Sequence, residues 1–334
     1  MVGKKKISLL LTALLGTMSF VGCGGNNVTS KDGQSLKRIG IVQLVQHPAL
    51  DVANEGFIEG LKEKGFEDGK NIEIDQKNAQ NKIDMAKQIA GQFVSDKKEL
   101  IFAIATPVAQ ACLNETKDIP IVFTAVTDPI TDGLAKTLDS SGVNTTGTSD
   151  KVNIEEQIQL FKKLVPDAKN LGVIYTTSET NSVNQVKELK DLAPRYGLTI
   201  EEIGITNVNE INQNLTHKVK DIDALYAPTD NTVASAYDLV GKICVDNNVP
   251  ILAAEPAAVN KGALVSNGID YKELGKMAGY KAAEILNGTN PSDIKIETMK
   301  ELAITINTDV ANKLNITIPE DIEKNSTKVT GGVN

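Results

Sequence analysis

The chain has 334 residues, and its 43 acidic residues against 35 basic ones give a net charge of −8 at pH 7. So acidic a chain is poorly suited to binding nucleic acid, which we therefore exclude as a partner. Only two histidines and three cysteines are present, without a CxxC pair, so we predict no metal site and no cofactor.

The first 22 residues are typical of a secretory signal peptide. Lysines 4–6 precede an uncharged apolar run, 7–20, that is short for a membrane span. Cys23 follows the small Gly22, as in the lipobox of bacterial lipoproteins, which implies a diacylglyceryl-modified Cys23 at the start of the mature chain. Residues 23–36 are small and polar and predict a flexible tether. Only two of the 35 basic residues are arginine, a bias of AT-rich genomes that favours a Gram-positive surface.

Strand-like and helix-like segments then alternate through the first half. In chain order we predict strand 38–45, helix 50–64, strand 71–75, helix 82–95, and strands 99–105 and 120–126. The last two are continuous apolar runs, as expected for strands covered on both faces. Pro107 suits the first turn of the helix that follows.

The second half repeats this pattern. We predict helix 153–165, strand 170–176, helix 182–197, strand 198–205, helix 209–220, strand 224–228, helix 232–247, strand 263–270, helix 271–288 and strand 301–307. Regular strand–helix alternation predicts parallel sheets with right-handed crossovers. Because the two halves resemble each other, we predict an α/β fold of two doubly wound parallel-sheet lobes.

The extra strand–helix unit at the end predicts that the chain crosses between the lobes three times. The expected segments are an N-terminal lobe of 37–148 plus about 271–298, a C-terminal lobe of 149–270 plus about 299–320, and a tail of 321–334. Crossings near 146–152, 266–272 and 298–302 would form a hinge, which suits closure around a ligand.

Polar residues follow the predicted strands in both halves. Ligands of parallel α/β sheets bind beyond the carboxyl ends of the strands, where helix N-termini also point, so these residues predict a site between the lobes. The candidates are His47, Thr106, Asp128, Ser178, Asn181, Ser182, Asp230, Asn231 and Glu255, with Asp150 at the predicted hinge. At any one of these positions, Asp, Ser or Thr could instead be only a helix N-cap.

The candidate set suits a zwitterion. Hydroxyls and backbone N–H groups at Thr106 and 178–182 could hold a carboxylate, while Asp230, Asp128, Glu255 or Asp150 could accept from an ammonium group. The neutral pair Thr106-Pro107 in one half matches the acidic pair Thr229-Asp230 in the other, which predicts that one lobe holds the carboxylate and the other the ammonium. No arginine is near these positions, and GxSxG, P-loop and HExxH motifs are absent, so a binding protein is favoured over an enzyme.

Five motifs in order carry a family resemblance: HPALD (47–51), ATPVAQ (105–110), TAVTDPI (124–130), TSETNS (177–182) and PTDNTVAS (228–235). They resemble the substrate-binding lipoproteins of ABC importers of the tryptophan/tyrosine group, over roughly residues 38–315. The resemblance implies a type I periplasmic-binding-protein fold with an aromatic amino acid between the lobes, tyrosine slightly ahead of tryptophan.

The resemblance also implies partners: a membrane permease driven by a separate ATPase, reached from outside the cell membrane by a lipid-anchored monomer. It implies ligand contacts from His47, Thr106, Asp128, Ser178, Asn181, Ser182, Asp230 and Asn231. Two alternatives stay open, namely a branched or other small amino acid in the same fold, and a surface lipoprotein that acts as an adhesin.

Overall fold

The computed structural model describes residues 36–299 and 302–332. The signal peptide, Cys23 and nearly all of the tether lie outside these ranges, as do residues 300 and 301 of the third predicted crossing. Within the described ranges, no helix combines the length and apolar character needed to cross a membrane.

Strands and helices alternate through nearly the whole chain. The first part comprises β1 (Lys37–Gln43), α1 (Pro48–Glu63), β2 (Ile72–Asn78), α2 (Ile83–Ser95), β3 (Leu100–Ile104), α3 (Thr106–Glu115), β4 (Ile121–Thr124) and β5 (Thr145–Ser149). The middle part comprises α4 (Ile154–Leu164), β6 (Asn170–Thr176), α5 (Thr180–Leu192), β7 (Thr199–Ile205), α6 (Glu210–Lys218), β8 (Ala224–Ala227), α7 (Asn231–Ala234), α8 (Tyr237–Asp246), β9 (Ile251–Ala253) and β10 (Val265–Gly268). The last part comprises α9 (Tyr271–Leu286), β11 (Glu297–Thr298), β12 (Ala303–Asn307), α10 (Thr308–Lys313), α11 (Glu320–Lys324) and β13 (Ser326–Val329).

The strands form two sheets. The first has the order β11-β5-β4-β3-β1-β2 and is parallel throughout. The second has the order β13-β12-β10-β9-β8-β6-β7 and is parallel except where β12 runs against β10. The predicted α/β architecture of two parallel-dominated sheets is confirmed.

Apolar packing on both faces of the sheets fixes the helices. Every residue of β3 and β4 is buried, as their continuous apolar runs predict. On one face, Phe57 of α1 stacks on Phe102 of β3, with ring centroids 3.6 Å apart. This contact fixes α1 against the sheet. His47 directly precedes the helix and follows the carboxyl end of β1.

Several elements differ from the sequence prediction. Strand β5 has the sequence TTGTS and gives no apolar signal, yet all five of its residues are buried. Their hydroxyls are hydrogen-bonded inside the lobe: Thr146 donates to the carbonyl of Ile294 at 2.8 Å, and Thr124 and Thr148 are 2.9 Å apart. Buried polar groups that find such partners cost little, so this polar strand lies in the core.

Two helices are also shorter than predicted. The expected helix 232–247 is divided at Ala236, whose backbone (φ −127°, ψ 23°) separates α7 from α8. The expected helix 182–197 ends at Leu192 and continues as a 3₁₀ turn, Ala193–Tyr196. Residues 321–334, for which no element is predicted, contain β13, which pairs with β12 at the edge of the second sheet.

Helix α9 follows a strand of the second sheet but packs on α1 of the first lobe. Gly56 and Gly60 of α1 meet Gly275 and Gly279 of α9 at very short range. A Cβ at Gly275 would lie 1.9 Å from the carbonyl oxygen of Ala53, and one at Gly60 would lie 2.4 Å from that of Lys276. Only glycine permits this approach, so the two helices lock the returning chain onto the first lobe.

We therefore expect Gly275→Ala to lower the free energy of unfolding by about 3 kcal/mol, because the new methyl group overpacks against backbone that cannot move aside. Gly91→Ala is the matched control. Gly91 lies in α2, where a Cβ would meet nothing closer than 3.8 Å. That substitution should stabilise by about 0.5–1 kcal/mol through helix propensity. Urea denaturation measures both, and equal effects of the two substitutions would contradict the close packing.

Candidate functional site

The carboxyl ends of the two sheets meet across a cleft between the lobes. Four side-chain hydrogen bonds among the described residues cross it, and one of them runs from Asn184 to Asp132 at 3.4 Å. Thr127 and Thr229 place their hydroxyl oxygens 3.1 Å apart, and Asn81 donates to Thr232 at 2.9 Å. His47 Nε2 lies 3.4 Å from Asn231 Oδ1. The lobes are thus closed on each other, and the predicted strand-end residues lie along their shared edge.

Asp230 at the end of β8 is completely buried and fully hydrogen-bonded. It accepts from the backbone N–H and hydroxyl of Thr176 at 2.6 and 2.9 Å, and from the Ser182 hydroxyl at 2.7 Å. It also caps α7 by accepting from Val233 N–H at 2.9 Å. Both carboxylate oxygens accept hydrogen bonds within the second lobe, so Asp230 ties β6, α5 and α7 together.

Glu179 is a second buried carboxylate of this kind, and it is absent from the predicted set. It lies before α5 but makes no cap hydrogen bond to that helix. Instead it accepts from the backbone and side chain of both Asn231 and Thr232, at 2.6–3.1 Å. Burial and the neighbouring Asp230 raise the pKa of Glu179 to about 7. We name Glu179 and Asp230 the framework carboxylates.

Asp150 and Glu255 behave differently, and we name them the cleft carboxylates. Asp150 Oδ2 accepts from the Tyr271 hydroxyl at 2.8 Å, but its Oδ1 has no partner among the described residues. Glu255 Oε2 is likewise buried without a partner there. Burial raises the pKa of both groups, and for Glu255 the charges of Asp150, Asp230 and Glu179 add to the rise. A buried carboxylate oxygen without a hydrogen-bond partner is unfavourable unless a donor or a cation binds to it.

Other buried polar atoms at the strand ends share this property. Atoms that lack a partner within the described ranges are His47 Nδ1, Thr106 Oγ1, Asn181 Oδ1 and the Tyr237 hydroxyl. Burial lowers the pKa of His47 to about 4, so its ring is neutral at pH 7. Together with the cleft carboxylates, these atoms offer mainly acceptors, which suits a ligand that carries several N–H or O–H groups.

No basic side chain balances the carboxylates in the described part of the cleft. The two buried lysines, Lys98 and Lys281, are paired elsewhere with Asp75 at 3.2 Å and Glu297 at 2.6 Å. The arginines lie at the surface, where Arg195 pairs with Glu155 at 3.2 Å and Arg38 binds the carbonyl of Lys97 at 3.1 Å. The site is therefore complementary to a cation.

Backbone strain is concentrated at the same edge of the first lobe. Ala105 and Ala125, directly after β3 and β4, have φ values of +88° and +53°. Such angles cost a non-glycine residue of order 1–3 kcal/mol and are typical of functional sites. At Ala105 the strained backbone leads into the N-terminus of α3, beside the Thr106 hydroxyl, where N–H groups and the helix dipole favour an anion.

Two tyrosines of the site are absent from the predicted set. Tyr237 is the first residue of α8 and Tyr271 the first of α9, and both are buried beside Glu255. The position of Tyr271 after the hinge residue Asp270 was a usable signal. Tyr237 gave none, because it lies inside the single helix predicted over 232–247.

Two predicted residues lie apart from the buried set. Ser178 is exposed. Asp128 is only partly buried; it pairs with Lys151 at 2.9 Å and accepts from Thr131 N–H at 3.0 Å. Although burial alone would raise the pKa of Asp128, these two partners lower it. The other predicted residues are buried in the cleft or in the network behind it.

Comparison with known proteins gives a consistent picture. Residues 38–330 match the family model of ABC transporter substrate binding proteins. A protein of Clostridioides difficile named "Tyrosine-binding protein" is 46% identical over 320 residues, which cover 94% of this chain and 93% of that protein. A Streptococcus pneumoniae domain solved in complex with L-Trp is 36% identical with a TM-score of 0.85, covering 88% of this chain and 100% of that one.

A third relative bears on the lobe arrangement. The ligand-free, open structure of a Clostridium difficile substrate binding protein with adhesive properties is 48% identical and covers 89% of this chain and 100% of its own, yet its TM-score is only 0.68. The open structure is thus more similar to this chain in sequence than the L-Trp complex is, but less similar in structure. By TM-score, the present arrangement is nearer to the L-Trp complex (0.85) than to the open structure (0.68).

We expect Asp230→Ala to destabilise the protein by at least about 3 kcal/mol, since two buried backbone N–H groups and two hydroxyls would lose their acceptor. Glu255→Gln is the contrasting variant. Because Glu255 Oε2 has no partner within the described residues, its replacement should leave stability equal or higher. Urea denaturation of ligand-stripped protein distinguishes the two, and a similar loss in both would refute the division into framework and cleft carboxylates.

Proposed function

Because the chain belongs to the family of ABC transporter substrate-binding proteins, which are not enzymes, we propose that it captures a free aromatic amino acid between its lobes. Tyrosine is favoured over tryptophan. The relative named "Tyrosine-binding protein" is 46% identical, whereas the domain in complex with L-Trp is 36% identical. The cleft then delivers the amino acid to a membrane permease that a separate ATPase drives.

The observation that carries this proposal is the pair of buried cleft carboxylates, Asp150 and Glu255, each with an oxygen that no described residue satisfies. An α-ammonium group has three N–H donors and one positive charge, and therefore matches both oxygens at once. The α-carboxylate finds donors at Thr106 and the N-terminus of α3. The two ends of a zwitterion thus have separate partners.

The rest of the site accounts for an aromatic side chain with a polar group. Tyr237 and Tyr271 supply ring surface without the arginine or lysine that would select an acidic side chain. His47 Nδ1 and Asn181 Oδ1 are acceptors suited to a phenol O–H or an indole N–H. A ligand that bears such a donor gains hydrogen bonds that phenylalanine cannot make.

The place of action follows from the N-terminal sequence and the family. We propose that a lipid on Cys23 anchors the protein outside the cell membrane and that residues 23–36 tether the binding lobes to it. A monomer suffices for this role, because each chain contains both sides of the cleft.

A thermal-shift screen of ligand-stripped protein against the twenty amino acids tests the ligand class. Tyrosine and tryptophan should raise the melting temperature, since a ligand at about 1,000 times its Kd adds roughly 4 kcal/mol to folded-state stability. No shift with tyrosine, tryptophan or phenylalanine would refute an aromatic ligand. A response to leucine, isoleucine and valine alone would support a branched-chain ligand instead.

Asp150→Asn and Glu255→Gln test the ammonium partners. Each should weaken tyrosine binding by about 100-fold, because removing one charge of a desolvated charge-assisted hydrogen bond costs roughly 2–5 kcal/mol. Asp128→Asn is the control, since the Asp128 carboxylate pairs with Lys151 instead. The Kd of this variant for tyrosine should stay within twofold of the wild-type value. Isothermal titration calorimetry measures all three. Equal losses in all three variants would show that the effect is general electrostatics.

Affinity should fall as the solution is made acidic. His47 has a pKa of about 4 in the closed protein against 6.5 for a free histidine, so closing favours its neutral form. Below pH 6.5 the open protein binds a proton that closing must release, which weakens binding by up to about tenfold per pH unit. Protonation of the cleft carboxylates acts in the same direction.

We therefore expect tyrosine to bind roughly 30-fold or more weakly at pH 5.0 than at pH 7.5. In His47→Gln the difference in Kd between the two pH values should shrink to the part that comes from the cleft carboxylates, because the imidazole is gone. Titration calorimetry at the two pH values checks this. A wild-type Kd that is the same at both would contradict the burial of a neutral His47 on closing.

A further inference from the structure

Glu179 touches none of the unpartnered atoms of the cleft, yet its hydrogen bonds determine how two cross-lobe contacts are made. Its Oε2 accepts from Asn231 N–H and from Asn231 Nδ2, at 3.1 and 2.6 Å. Its Oε1 accepts from Thr232 N–H and from the Thr232 hydroxyl, at 3.1 and 2.9 Å. Above its pKa of about 7, Glu179 is ionised and can only accept, so the direction of all four bonds is then settled.

The direction of these bonds determines which atom donates in the hydrogen bonds to the opposite lobe. The Thr232 hydroxyl has one hydrogen, which it gives to Glu179, so towards Asn81 it can only accept, and Asn81 Nδ2 donates to it at 2.9 Å. The Asn231 amide turns its NH₂ to Glu179, so its Oδ1 faces His47 Nε2 at 3.4 Å. Both cross-lobe contacts therefore take their polarity from one carboxylate.

The consequence for His47 reaches the ligand. An acceptor beside Nε2 requires the proton of the neutral ring to be on Nε2, which leaves Nδ1 as a bare acceptor. Nδ1 is the buried His47 atom that lacks a partner among the described residues. The opposite tautomer would set two acceptors against each other at Nε2 and present a donor at Nδ1.

We infer that Glu179 is a positioning residue for ligand capture: through Asn231 it fixes the tautomer of His47 that faces the ligand, and through Thr232 it fixes the second cross-lobe hydrogen bond. This inference rests on the proposed function for the identity of the ligand. Other titratable groups near Glu179 are Asp230, Glu255 and Tyr237. They surround the carboxylate, but none of them bonds to Asn231 or Thr232 in its place.

Glu179→Gln is the direct test, since it keeps the shape but presents an NH₂ group to one pair of donors. Glu188→Gln is the matched control, an exposed glutamate on α5, the helix that follows Glu179. At pH 8, above the pKa of about 7 for Glu179, L-tyrosine should bind Glu179→Gln at least about tenfold more weakly than wild type. Glu188→Gln should bind within twofold of wild type.

The tautomer of His47 is a readout that a loss of stability alone would not change. The chain has only two histidines, so a ¹H–¹⁵N spectrum of ¹⁵N-histidine-labelled protein with saturating tyrosine is simple, and His217→Gln assigns it. Wild-type His47 should be neutral with its proton on Nε2. In Glu179→Gln it should become a mixture or shift to Nδ1–H. A wild-type spectrum and a wild-type Kd in this variant would overturn the inference.

Asn231→Ala provides a second route if Glu179→Gln folds poorly, because it interrupts the relay while three donors still face Glu179. Without Asn231 Oδ1, both neutral tautomers of His47 should become populated and tyrosine should bind more weakly. An unchanged tautomer would count against the role of Asn231 in fixing it.

Amide exchange at Asn231 and Thr232 needs no ligand. Both N–H groups donate to Glu179 within one lobe, so their exchange should accelerate in Glu179→Gln, and unchanged exchange would overturn the inference. If wild-type protein fails to bind tyrosine, the proposed function is wrong, while the exchange rates and the tautomer still decide the role of Glu179.

Discussion

A buried carboxylate must find hydrogen-bond donors or a cation, and this requirement organises the whole site. The second lobe satisfies Asp230 and Glu179 with its own donors, eight hydrogen bonds in all, so these groups hold strand ends and helix starts together. Asp150 and Glu255 keep an oxygen that no described residue satisfies. The same residue type thus builds the walls of the cleft and, in the proposed function, supplies its binding groups. The number of donors nearby decides which role a carboxylate has.

The scaffold places these groups through contacts far from the cleft. Asp150 follows a strand of buried threonines, and Tyr271 begins the helix that glycine contacts lock onto the first lobe. Their 2.8 Å hydrogen bond joins the segment that follows β5 to the start of α9, which follows β10. Because each partner is held by close packing, the carboxylate has little freedom to turn its second oxygen away from the cleft.

Sequence patterns predict a large part of this structure. Apolar runs reveal the buried strands, and the internal repeat reveals two sheets, since both signals depend on local periodicity. The same patterns direct attention to His47, Thr106 and Asn181, all of which lie at the closed edge. Strand β5 escapes prediction because its burial depends on hydroxyl partners distant in sequence, and Tyr237 escapes because the helix break at Ala236 has no glycine or proline to mark it.

The roles of the four carboxylates could not be predicted, for a physical reason. The sequence shows that an acid follows a strand, but the number of donors around it depends on residues far away in the chain, 54 positions between Thr176 and Asp230 and 121 between Asp150 and Tyr271. Asp230 therefore resembled an ammonium partner although its oxygens are already occupied. Asp128 also resembled an ammonium partner, although it pairs with Lys151 and accepts from Thr131 N–H at the edge of the cleft.

The cleft carboxylates also give an electrostatic reason for closure to depend on ligand. Asp150 and Glu255 are buried in this arrangement; in the proposed function they leave water when the lobes close, and a buried, unpaired charge costs several kcal/mol. An ammonium group between them offsets that cost, so in the proposed function the ligand favours the closed state by the difference between paired and unpaired carboxylates. A tenfold shift towards closure needs about 1.4 kcal/mol, well within what one desolvated charge pair supplies. A molecule of the same shape without the ammonium gains no such difference and cannot drive closure in this way.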